Sequence, residues 1–117
     1  MDDFSIYWNK LIELAELQPE PDTFEAAVGR LIVEDGLISN EGVLYWFEQS
    51  HSSTVDDVRT TLIGLGLTEL EAHVRGISQE LVDCADDDSY DQRYFALSDE
   101  IEPTIRRWWL SQQQLDR

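Results

Sequence analysis

Phe4-Ser-Ile-Tyr-Trp-Asn-Lys-Leu-Ile-Glu-Leu-Ala15 sets Phe4, Tyr7, Trp8, Leu11, Ile12 and Ala15 at the i, i+3, i+4, i+7 spacing of one helix face. Asp2 or Asp3 can cap this helix, and Pro19 and Pro21 mark its end. The same period recurs along the chain. A second helix is predicted from Asp22, with Glu25 completing a capping box, an inner face of Phe24, Ala27, Val28 and Leu31, and an end near Gly36. A short third helix follows Asn40 and carries Val43, Leu44, Trp46 and Phe47. Val55, Val58, Leu62 and Leu65 share a face of a fourth, which Gly64 and Gly66 end. Thr68 and Glu71 form another capping box, opening a fifth helix with Leu70, Val74, Ile77 and Leu81 inside. Past an acidic loop, Ser98 or Glu102 opens a last helix bearing Ile101, Ile105, Trp108 and Trp109, with Pro103 in its first turns.

No run of alternating Val and Ile and no Asn-Gly or Asp-Gly hairpin signal occurs. The expected fold is all-α, a single compact bundle of about six helices with an acidic surface. At 117 residues, with 42% hydrophobic and 10% aromatic content, the chain has enough apolar surface for one core. Apolar residues run through both halves without a Gly, Ser or Pro-rich linker, so residues 1–117 read as one domain.

The charge is lopsided. Twenty-five Asp and Glu stand against 8 Lys and Arg, a net charge of −17, and Lys10 is the single lysine. Residues 1–58 hold 13 acids and 2 bases, while residues 59–117 hold 12 acids and 6 arginines. Direct binding to nucleic acid or to an anionic membrane needs a positive face, so neither is expected. No apolar run reaches the roughly 20 residues of a transmembrane helix. The acidic N-terminus is unlike a signal peptide. The lone Cys84 has no internal disulfide partner, which fits a reducing cytoplasm.

Catalytic and metal signals are weak. His51 and His73 lie 22 residues apart with no paired Cys or His, so structural zinc is not expected. His51 reads as solvated in a Ser/Thr-rich turn, His73 as a boundary residue, and Cys84 as a small buried thiol. The stretch Asp83, Asp86, Asp87, Asp88 and Asp91 lacks the central glycine and closing glutamate of a calcium loop. Gly64-Leu-Gly66 lacks the third glycine and lysine of a phosphate loop, and no Gly-x-Ser-x-Gly occurs. No cofactor, no metal and no catalysis are expected.

What remains is the acidity. Asp83, Asp86, Asp87, Asp88 and Asp91, with Glu34, Asp35, Asp56 and Asp57, are expected to be exposed near helix ends and to form an acidic face. Glu13, Glu16, Glu20 and Glu41 extend it. Helix neighbours three or four apart stand about 5–6 Å from one another. Phosphates along a DNA strand are spaced on a comparable scale, each base pair rising about 3.4 Å. A helical scaffold can therefore hold carboxylates where a DNA-binding protein expects phosphates. The alternatives are an immunity or antitoxin-like protein that neutralises a basic toxin, and salt adaptation, which the near-absence of lysine matches. The Trp108–Trp109 pair beside Arg106 and Arg107 points to self-association as a homodimer through Trp109, because Trp and Arg are enriched at interfaces.

Three stretches resemble a known family: Gly29-Arg-Leu-Ile-Val-Glu34, Asn40-Glu-Gly-Val-Leu-Tyr-Trp-Phe-Glu-Gln-Ser50 and Thr61-Leu-Ile-Gly-Leu-Gly66. Together with Tyr90-Asp-Gln-Arg-Tyr-Phe-Ala-Leu-Ser-Asp-Glu-Ile-Glu102, they resemble the bacterial DNA-mimic-protein-like domain family over about residues 23–110. Asn40 and Gly42 match the family's turn into the third helix, whereas Glu41 stands in place of its first glycine and Val43 in place of its phenylalanine. The resemblance implies an all-helical fold, no catalysis, often a dimer, and an acidic face that occupies the DNA-binding surface of a transcription factor. The expected partner is thus a basic DNA-binding protein such as a repressor, nucleoid protein, nuclease or phage-defence complex.

Overall fold

The computed structural model describes residues 3–17, 20–80 and 87–115, with the side chains of 77–80, 87–89 and 113–115 outside the description. Among the described residues there are seven α-helices and no strand. They are α1 (Asp3–Leu17), α2 (Phe24–Glu41), α3 (Val43–Gln49), α4 (Ser52–Gly64), α5 (Thr68–Glu80), α6 (Asp87–Ser98) and α7 (Ile101–Leu115). The all-α expectation holds. The molecule is elongated, 51 × 26 × 24 Å.

One core cluster joins all seven helices, from Phe4 and Leu11 of α1 to Ile101 and Ile105 of α7. Its stripes are largely those of the sequence periodicity. Phe4, Leu11, Ala15, Val28, Leu31, Val43, Trp46, Val55, Val58, Leu62, Leu70, Val74, Ile101 and Ile105 are buried. The side chain of Ile77, and all of Leu81 and Cys84, lie outside the described residues. Helix α1 crosses α2 so closely that a Cβ on Gly29 would overlap the Leu11 carbonyl. α7 closes over the pair with Trp109 against Phe4 and Tyr7, and Trp108 against Phe24.

Four local expectations are corrected. The N-cap of α2 is Thr23, not Asp22, and its Oγ1 accepts the Ala26 N–H at 3.1 Å. Helix α2 runs through Gly36 to Glu41, because Ile38 beyond that glycine is buried and holds the helix down. The chain turns instead at Gly42, whose φ of 89° and ψ of 149° belong to a region essentially reserved for glycine. Glu71 does not serve a capping box. Its carboxylate is buried beside Arg59 and Arg75, at 3.9 and 3.7 Å. Finally, the acidic stretch expected to be a loop enters α6 at Asp87, and Tyr94 from that helix is buried in the core.

Candidate acidic interaction surface

The acids named from the sequence divide into three groups. Asp83 and Asp86 lie outside the described residues, and Asp87 and Asp88 open α6 with side chains that are not described. Asp56 and Asp57 are exposed in the first half of α4, as expected, with Asp56 3.8 Å from Arg59.

Glu34, Asp35 and Asp91 form the third group, and the fold uses all three. The expectation that Glu34 is exposed is corrected: it is only 5% exposed. It stands three residues after Leu31 and four before Ile38, so it shares their inward stripe. There it accepts the indole N–H of Trp46 at 2.9 Å and pairs with Arg30 at 3.5 Å. A buried carboxylate without such partners would be strongly destabilising. Asp35 is half-buried and accepts the Tyr94 hydroxyl at 2.6 Å, a bond that pins α6 to α2 across 59 residues. Burial pushes its carboxyl above the usual carboxylate range, and the Tyr94 hydrogen bond opposes that shift. The Tyr94 hydroxyl is itself pushed far up by burial and then by Asp35. Asp91 accepts the Val43 N–H at 2.8 Å, reaching from α6 to satisfy a free donor in the first turn of α3.

The surface acidity lies elsewhere. Among the described residues Glu13, Glu16, Glu20, Asp22, Glu25, Glu41, Asp57, Glu69, Asp99 and Glu100 are exposed and in no ion pair. Five of these cover the end of α1 and the start of α2. Burial first and then Glu25 push the Tyr7 hydroxyl up to about 12. Four arginines are engaged by acids of the same chain: Arg30 by Glu34, Arg59 by Asp56 and Glu71, Arg75 by Glu71, and Arg106 by Glu102. Sequence reasoning named Glu13, Glu16, Glu20 and Glu41 but passed over Asp22, Glu25 and Glu69, two of them because they were assigned to helix caps or turns. Their polar flanks on amphipathic helices were the available signal.

No family model, curated protein or solved structure matches the chain. The likeness to the DNA-mimic family is therefore carried by the quoted residues alone.

The residues proposed for self-association are used within the chain. Trp109 lies half-buried with its ring 5.4 Å from Phe4 and 5.6 Å from Tyr7. Arg106 bonds Glu102 at 3.4 Å and lies 4.5 Å over the Phe4 ring, and Arg107 reaches the Thr104 hydroxyl. His73, half-buried, stacks on Tyr90 and places Nε2 3.1 Å from the Tyr90 carbonyl oxygen. No group of three or more His, Cys, Asp or Glu among the described residues is placed to hold a metal ion. No helix among them is long and apolar enough to cross a membrane.

Proposed function

We propose that this protein is a non-catalytic, cytoplasmic interaction protein whose acidic surface occupies the DNA-binding face of a basic protein. Repressors, nucleoid proteins, nucleases and phage-defence complexes present such faces. The observation that carries the reading is the division of the acids. A few carboxylates hold the helices together and engage Arg30, Arg59 and Arg75, while a larger set faces solvent unpaired. Like charges at this density repel and act against the compact state. The set Glu13, Glu16, Glu20, Asp22 and Glu25 is in no ion pair among the described residues, and it lies around the close α1–α2 crossing at Gly29. Uncompensated carboxylates on a helical scaffold are what a phosphate-binding surface recognises.

The test is displacement. A labelled DNA duplex is bound to purified basic domains, one a nucleoid protein and one a helix-turn-helix repressor, and the chain is titrated in. The expected result is release of DNA from at least one of them, with fast, salt-sensitive association. Changing Glu13, Glu16, Glu20 and Glu25 to Gln should weaken displacement at least tenfold without loss of helicity. Binding that leaves the DNA in place, or equal displacement by the quadruple variant, overturns the reading. No interaction at any salt concentration leaves solubility as the account of the charge.

A further inference from the structure

A cavity of about 560 Å³ opens between α1, the α6–α7 turn and the first turns of α7, with Asp35 of α2 in its wall. That volume is in the range of small-ligand sites. Its walls combine two kinds of group. Phe4 and Trp8 supply aromatic surface, their ring centroids 5.8 Å apart and tilted by 60°. Asp35, Asp99 and Glu102 supply carboxylates, against one cation, Arg106. Arg106 is already committed: its guanidinium lies 4.5 Å over the Phe4 ring and pairs with Glu102 at 3.4 Å. The chain thus holds a guanidinium in the cavity wall between an aromatic face and a carboxylate. The remaining lining holds the same kinds of group and no second cation. Trp8 offers the aromatic surface there, and neither Asp35 nor Asp99 is in an ion pair among the described residues.

We propose that this cavity receives an arginine side chain of the basic partner, seated against Trp8 with its guanidinium on Asp35 and Asp99. The inference deepens the proposed function and rests on it only for the source of the side chain. Cation–π attraction favours guanidinium over a tryptophan face, and a planar fork suits carboxylate oxygens better than a point charge does. Asp35 is suited to the task because Tyr94 holds one of its oxygens in place. Its partial burial leaves an anion short of compensation, which an entering cation supplies. Trp and Arg are among the residues most enriched in binding hot spots.

The probe is N-acetyl-argininamide titrated into the full chain labelled with nitrogen-15. N-acetyl-citrullinamide is its neutral isostere, and spermidine represents a free polyamine. Saturable shifts of the Trp8 indole N–H and the Ile101 amide are expected with the arginine probe and not with citrulline. Asp99→Asn, at an exposed position, should weaken binding at least fivefold. Asp35→Asn, which keeps an acceptor for Tyr94, should do the same, while Glu48→Gln outside the cavity should leave binding unchanged. Affinity unchanged from the parent in the two cavity variants overturns the inference, as does saturation by spermidine alone. No partner is needed, so the two failures are separable. A silent cavity with successful DNA displacement removes only this inference, whereas a filled cavity without displacement removes the DNA-mimic reading.

Discussion

Glu34 and Asp35 are neighbours in the chain with opposite circumstances. Glu34 shares the inward stripe of α2 and is answered by both Trp46 and Arg30. Asp35, one position round the helix, lines the cavity and accepts the Tyr94 hydroxyl. The groups facing it across the cavity are Asp99, Glu102 and Arg106. Because its folded pKa lies above its unfolded value, the folded state binds the proton more tightly. The stability associated with that proton is fully present below the unfolded value of about 3.9 and is lost as pH rises through the raised folded value. Asp35→Asn removes this loss. The variant should be at least as stable as the parent at pH 7, with the difference shrinking toward pH 4. Tyr94→Phe, which leaves Asp35 half-buried without its donor, should cost about 1–3 kcal/mol at pH 7. Urea unfolding of variant and parent at the two pH values checks both, and an Asp35→Asn advantage over the parent that is larger at pH 4 than at pH 7 would contradict the assignment.

The elements show where local reading of the sequence succeeds and where it cannot. α1, α3, α4 and α7 were legible because their apolar stripes are continuous and their packing follows from them. α6 was not. Its inward face is little more than Tyr90, Tyr94 and Leu97 among charges, and two of its anchoring bonds span 48 and 59 residues, beyond any local window. The end of α2 was misplaced for a related reason: a glycine inside a helix and a glycine at its terminus look alike until the burial of Ile38 is known. The two positions give opposite expectations. Gly36 is helical with nothing within 4 Å of an added Cβ, so Gly36→Ala should stabilise by about 0.5–1 kcal/mol. Gly42 has a φ of 89° and an Asp91 oxygen 3.1 Å from an added Cβ, so Gly42→Ala should destabilise by about 1–3 kcal/mol. Thermal unfolding of the pair gives the signs directly, and a stabilising Gly42→Ala would remove the account of the α2–α3 junction.

For the whole molecule, the sequence shows how much negative charge there is and little of where it is displayed. Nine acids were expected on one face, but Glu34 is buried, and Asp35 and Asp91 are half-buried and tie helices together. Half of the exposed, unpaired acids named above lie where α1 ends and α2 begins. The distinction depends on the faces presented by neighbouring helices, and composition carries no record of those. It also changes what mutagenesis of the acids can mean. Substitutions at Glu34 or Asp91 would report on folding, whereas those at Glu13 or Glu16 report on the surface.

The elongated shape bears on competition with DNA. Seventeen net charges along 51 Å amount to one per 3 Å of axis. Duplex DNA carries one per about 1.7 Å and a sheath of condensed cations, which a protein sets free on binding. With a sparser column of charge, this chain has fewer such ions to release. The slope of log K against log salt for a shared partner should therefore be shallower than that of the DNA. Raising salt from about 50 to 200 mM should weaken both complexes but tilt the exchange away from the nucleic acid. A polyanion of this kind competes best where the duplex has lost most of its entropic advantage, and a ratio moving the other way would show that its charges do not act as a DNA substitute.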